Sequence, residues 1–143
     1  MEVLHIDLET YSSIDLAKCG VYKYVESEDF EILLFAYAID DQEVIVIDLT
    51  REMLPDFIRE RILDPNIIKV AHNAVFERIC ISKHLGIKLA ASSWVCTMVW
   101  SSLLGLPSSL AKVAKALSLS EQKDTKGKLL INYFCKPCKP TKA

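Results

Sequence analysis

Residues 3–9 read Val-Leu-His-Ile-Asp-Leu-Glu, and this alternation constrains the chain more than any other stretch. Successive side chains of a strand point to opposite faces, so Leu4, Ile6 and Leu8 share one face while His5, Asp7 and Glu9 share the other. The apolar face must be buried against a core. The other face carries two carboxylates one residue apart, and charged groups resist burial unless something pairs with them. Close like charges repel unless a cation lies between them, and hard cations such as Mg²⁺ and Mn²⁺ take oxygen ligands of this kind. Acids at a strand end are also commonly solvated, so the pair does not decide the matter alone.

The rest of the chain suggests what surrounds that strand. Residues 30–40 and 43–49 are rich in β-formers and predict a hairpin joined at Asp41-Gln42. A helix is expected near 52–63, with Leu54, Phe57, Ile58 and Ile62 on one stripe and Pro55 in its first turn. A short buried strand over 67–71 and a helix over 73–86, closed by Gly86, should follow. Further helices are expected from Ser93 or Thr97 to Gly105-Leu106-Pro107, over 108–117 and over 128–134. This order predicts an α/β domain, a mixed central sheet flanked by helices. Its connections suit a strand meander followed by one crossover to a parallel strand.

At 143 residues, with 51% hydrophobic and 25% charged, the chain fits a single globular domain with a sizeable core. His5 and Asp7 interrupt the first apolar run and no cationic segment precedes it, so neither a leader peptide nor a membrane partner is expected. Five scattered cysteines, at 19, 80, 96, 135 and 138, suit a reduced cytoplasmic protein better than a disulfide framework. Residues 1–50 hold 12 acids and two Lys, whereas residues 110–143 hold eight Lys and two acids. Such an asymmetry lets Lys112, Lys115, Lys123, Lys126 and Lys128 serve as phosphate contacts, or as ordinary solvated lysines.

A second polar cluster lies in Ala71-His72-Asn73-Ala74-Val75-Phe76-Glu77-Arg78. Positions i and i+4 of a helix share a face, so Asn73 and Glu77 are expected to point together at the end of a buried strand. Otherwise Asn73 is an ordinary N-cap and Glu77 faces solvent. Phe76, Ile79 and Cys80 read as core in either case.

Taken in order, the two segments resemble the DEDD-type 3′–5′ exonucleases, and most closely the proofreading domain of phage-type family A DNA polymerases. His5-Ile6-Asp7-Leu8-Glu9-Thr10 is similar to that family's first motif, a strand bearing Asp-x-Glu-Thr. His72 to Glu77 is similar to its second, Asn-x-x-Phe/Tyr-Asp. Residues 21–39, 96–117 and the closing Lys-Pro-Cys-Lys-Pro-Thr-Lys-Ala extend the resemblance through most of the chain. Two departures stand out. Glu77 occupies the place of the usual Asp, which keeps charge and oxygen ligation but lengthens the side chain. The third motif, Tyr/His-x-x-x-Asp, is not found late in these residues: four after Tyr133 stands Pro137. Tyr11 with Asp15 and Tyr37 with Asp41 have the spacing but precede the second motif.

The resemblance implies a ribonuclease H-like (DEDD exonuclease) fold over residues 1–143, ending before the third motif and its C-terminal helix. It implies two-metal hydrolysis of the 3′-terminal phosphodiester of DNA, with Mg²⁺ or Mn²⁺ as cofactor. Asp7 would bridge both ions, Glu9 would bind one, and Glu77 would reach the second, directly or through water. Thr10, Asn73 and Phe76 would seat the terminal nucleotide. The partners implied are a single-stranded or frayed DNA 3′ end and a C-terminal polymerase region of the parent chain. Without the fourth carboxylate, weak or no activity is expected of these residues alone. Alternatives are an RNA-trimming exonuclease, or a non-catalytic DNA-holding scaffold. Cys135-Lys136-Pro137-Cys138 is half a zinc site with no second pair, and it lacks the strand–helix setting of a thioredoxin-like motif.

Overall fold

The computed structural model describes residues 2–120 and 127–137. Lys123, Lys126, Cys138 and the side chain of Lys128 lie outside the described residues. The expected first strand is β1 (Val3–Tyr11), and its burial alternates as the sequence requires: Leu4, Ile6 and Leu8 are buried, His5 and Asp7 exposed, Glu9 half-buried.

β1 is the middle strand of a five-stranded mixed sheet. On one side it pairs antiparallel with β2 (Glu31–Ile39), which pairs antiparallel with β3 (Ile45–Asp48). On the other it pairs parallel with β4 (Ile68–Ala71), which pairs parallel with β5 (Trp94–Cys96). The order is therefore β3-β2-β1-β4-β5. The parallel half holds two crossovers rather than the single one expected, because Trp94–Cys96 is a strand and not the start of a helix. Three residues are too few to show a period of two.

β2 gives the sheet two unlike faces. Directly paired residues share a face, so Ile39, Tyr37 and Phe35 stand beside Leu4, Ile6 and Leu8, while Ala38 and Ala36 stand beside His5 and Asp7. The large residues join Ile58 and Ile62 of α2 (Asp56–Leu63) and Cys80 and Ile81 of α3 (Ala74–Leu85) in one core. Pro55 precedes α2 as its N-cap rather than standing in its first turn. Gly86 closes α3 at φ 68°, as its position predicts. Lys69 points into the core face beside Leu4, 1% exposed. Its Nζ donates to the carbonyls of Asp64 at 2.6 Å and Ile67 at 2.9 Å, which satisfies the cation where α2 turns into β4.

The acidic face of β1 opens towards Thr97, which begins α4 (Thr97–Leu103), Leu110, which begins α5 (Leu110–Ala116), and α6 (Gly127–Phe134). Leu110, Leu130, Ile131 and Phe134 line a cavity with Asp7 and Glu9. The mixed sheet is thus flanked by helices, as expected. No helix among the described residues is long and apolar enough to cross a membrane.

One helix was not anticipated. α1 (Leu16–Tyr24) lies between β1 and β2, capped by Asp15, whose side chain accepts a hydrogen bond from the Ala17 amide. Gly20 interrupts it at φ 74°, ψ 168°. The kink breaks the helical periodicity in the sequence, and it brings Tyr24 back under the end of β1. Its hydroxyl and the Thr10 hydroxyl share a buried hydrogen bond of 2.9 Å.

The Gly20 backbone lies in a region essentially reserved for glycine. A Cβ built there meets nothing within 4 Å, so backbone strain is the whole expected effect of a methyl group. Gly20→Ala should lower the free energy of unfolding by about 1–3 kcal/mol, read from denaturant titration.

Candidate active site

Asp7 and Glu9 reach one site because β1 is extended, held to β2 at both residues and to β4 just before them. Both line a cavity of about 830 Å³ between the sheet and α6. Asp7 also lines a neighbouring cavity of about 310 Å³ with His5, His72 and Thr97. The alanines opposite His5 and Asp7 help keep this part of the face open.

The sheet register shifts beside Glu9. Glu9 pairs with Leu34 but Thr10 pairs with Ile32, so Leu33 is an extra residue on β2. Bulges of this kind increase local twist and re-aim side chains. Here both Leu33 and Leu34 line the larger cavity, with Asp48 and Thr50 from the end of β3. Cys135, just past α6, donates its thiol to Glu9 Oε2 at 3.6 Å. Burial and the adjacent Glu9 charge push that thiol up to about 11, which keeps it protonated.

Glu77 arrives from the first turn of α3, after β4. It is buried, 3% exposed, and its Oε2 has no hydrogen-bond partner among the described residues. Burial, with a contribution from the Asp7 charge, raises its carboxyl from 4.5 to about 8. Glu77 therefore lies within electrostatic reach of Asp7, although neither cavity counts it among its lining residues. Among the described residues no three His, Cys, Asp or Glu side chains lie close enough together to hold a metal ion. Asp7, Glu9 and Glu77 are nevertheless oxygen donors of the kind a hard cation takes, and among the described residues nothing satisfies the buried Glu77 Oε2.

The expectation that Asn73 and Glu77 share a helical face is corrected by the backbone. Asn73 precedes α3 in the left-handed conformation, φ 80° and ψ 48°, so the i, i+4 rule does not reach it. It stands exposed at the N-cap without a capping side-chain bond, so it is not the ordinary N-cap considered above. Glu77 does not face solvent either. Phe76 packs against the core, its ring 6.2 Å from that of Tyr24. Thr10 is buried and its hydroxyl is engaged by Tyr24. Lys112 and Lys115 are exposed on α5.

Two further neighbours complete the surroundings: His72, which the sequence suggests is a local structural residue, and one the sequence does not single out. His72 ties the end of β4 to two later segments: Nδ1 lies 3.0 Å from Thr97 Oγ1, and Nε2 lies 2.8 Å from the Ser108 carbonyl. A carbonyl only accepts, so Nε2 carries the proton and donates. Tyr24 is the other. Its signal was the Asp15 cap followed by apolar residues, which Gly20 obscured.

Comparison with known proteins gives three results that agree in kind. A family model described as a 3′–5′ exonuclease, that of DNA polymerase A, matches residues 20–139, which include Asn73, Phe76 and Glu77. The DNA polymerase of Bacillus phage SP02 is 55% identical over 144 residues, covering 100% of this chain and 22% of that protein. The chain thus spans about a fifth of that relative's length. Among solved structures, Brucella melitensis NrnC with bound Mg²⁺ superposes with a TM-score of 0.62 at 16% identity, over 86% of this chain and 56% of that one. Escherichia coli RNase D, an exoribonuclease involved in structured RNA processing, gives 0.62 at 14% identity, over 88% of this chain and 30% of that one. At such identities these two establish the fold, a ribonuclease H-like α/β architecture.

The buried carboxyl of Glu77 generates a test in metal-free protein. Its pKa is higher folded than unfolded, so the folded state binds more protons between 4.5 and about 8. Stability from this group is therefore lost as pH rises through that window and is constant above it. The wild type should unfold at a lower temperature near pH 8.5 than near pH 5.5, and Glu77→Gln should reduce that slope. Calorimetric melting across the range, with a chelator present, checks it.

Proposed function

Since the chain belongs to the 3′–5′ exonuclease domain family of DNA polymerase A, we propose that it removes nucleotides from DNA 3′ ends by hydrolysing the terminal phosphodiester. Asp7, Glu9 and Glu77 would hold the Mg²⁺ or Mn²⁺ that this needs. The observation that carries the reading is the unsatisfied, buried Glu77 oxygen within the field of Asp7, because a carboxylate so placed is stabilised by a cation. When bound, a pair of divalent ions would supply positive charge at the scissile phosphate, the attacking water and the leaving 3′ oxygen.

The chain's own residues would do the rest. Asp7 and Glu9 would draw cations into a cavity whose remaining lining is largely apolar, where charge is poorly screened. Thr10 and Asn73 would border the terminal nucleotide. Phe76 would support that end from the core side rather than touch a base. DNA is favoured over RNA because the 55%-identical relative is a DNA polymerase, whereas the RNA-processing neighbour shares the fold at 14% identity. In this reading the partner is a polymerase region such as the one the phage relative carries. Residues 1–143 tested alone should turn over slowly, because the family's Tyr-x-x-x-Asp motif is not among them.

A 3′-labelled single-stranded oligodeoxynucleotide with Mn²⁺ tests the reading. Label should be lost from the 3′ end, faster than from RNA of the same sequence. Asp7→Ala should reduce the rate by about 10²-fold or more. Measurable turnover that is equal for wild type and Asp7→Ala would overturn it, as would shortening from the 5′ end.

A further inference from the structure

Tyr24 lies where the two acid-bearing segments meet. It is 4% exposed, and its hydroxyl is hydrogen-bonded to Thr10 Oγ1 at 2.9 Å. Thr10 follows Glu9 directly and begins the register after the extra residue Leu33. The Tyr24 ring centroid lies 6.2 Å from that of Phe76, tilted by 43°, and Phe76 directly precedes Glu77. The Tyr24 carbonyl is fixed as well, accepting from the buried Ser12 Oγ at 2.9 Å. One side chain therefore touches the residue after Glu9 and the residue before Glu77.

A core position needs only an apolar ring. A phenol placed there has to satisfy its hydroxyl, and this one does so on the strand end where the register shifts. The ring keeps the core filled, and the hydroxyl sets the end of β1 relative to α3. We infer that Tyr24 is a positioning residue that fixes the spacing between the Asp7–Glu9 strand and Glu77 through its bond to Thr10. The inference rests on the reading of these acids as cation ligands; the contacts themselves do not depend on it.

Two variants isolate the bond while keeping volume: Tyr24→Phe and Thr10→Val. Mn²⁺ affinity, measured by calorimetry on the whole chain, should weaken about 3- to 10-fold in each, the range of one lost hydrogen bond. Because both remove the same bond, the double variant should be no weaker than either single one. Amide hydrogen exchange in metal-free protein supplies a second measurement: exchange at residues 9–11 and 76–78 should rise together in Tyr24→Phe. Wild-type affinity in both variants would overturn the inference, as would losses that multiply. Loss of cooperative unfolding in Tyr24→Phe would also overturn it, since the hydroxyl would then be supporting the whole core. Should the wild type bind no Mn²⁺, the ligand reading fails, and exchange alone decides whether Tyr24 couples the two segments. Unchanged exchange would then overturn it.

Discussion

The double pairing of β1 governs everything else in this molecule. A strand hydrogen-bonded on both sides cannot rotate or slip without breaking two ladders, and a slip of one residue would exchange its faces. Burying Leu4, Ile6 and Leu8 therefore obliges Asp7 and Glu9 to face the other way. The apolar core and the acidic cavity are two consequences of one register. Each makes the other harder to lose: flipping the strand would bury two carboxylates and expose three large aliphatic groups.

Glu77 shows what such a site costs. Carboxylates are seldom buried without partners, yet this one has an oxygen with no hydrogen bond and sits in the field of another acid. Raising its carboxyl from 4.5 to about 8 corresponds to several kcal/mol of disfavoured ionisation, a large fraction of a small domain's stability. A buried glutamine or methionine would avoid that penalty. The penalty falls on one side chain of α3, beside a core that α3 itself helps to build through Cys80 and Ile81.

Much of this was legible in the sequence, and the omissions have physical causes. The alternation of β1 and the Gly86 stop follow from local rules that tertiary structure then respects; of the α2 stripe Ile58 and Ile62 are buried as expected, whereas Phe57 is exposed and Leu54 precedes the helix. α1 was hidden by Gly20, whose backbone no L side chain would adopt readily, so the helical pattern falls into two short pieces. β5 was hidden by its length. The sequence starts α3 one residue early and so places Asn73 inside it; only the left-handed backbone at that residue shows the boundary. The family resemblance identified Asp7, Glu9 and Glu77, but no spacing rule could reveal that the third is buried while the first is exposed. That difference depends on how α3 lies against the sheet, which no local pattern encodes.

β2 explains why the site has room at all. Its residues alternate in size as well as in face: Ile32, Phe35 and Tyr37 fill the core, while Ala36 and Ala38 oppose Asp7 and His5. Had the small residues faced the core, it would hold voids, and voids are penalised in proportion to their volume. Had the large ones faced the acids, the cavity would be filled by protein. The extra residue at Leu33 then shifts the pairing just past these alanines, so that Leu33 and Leu34 both reach the cavity wall beside Glu9. Steric bulk on β2 and charge on β1 are thus complementary along one ladder: Asp7 opens onto space because Ala36 opposite it is too small to fill it, while Leu34 opposite Glu9 forms part of the cavity wall.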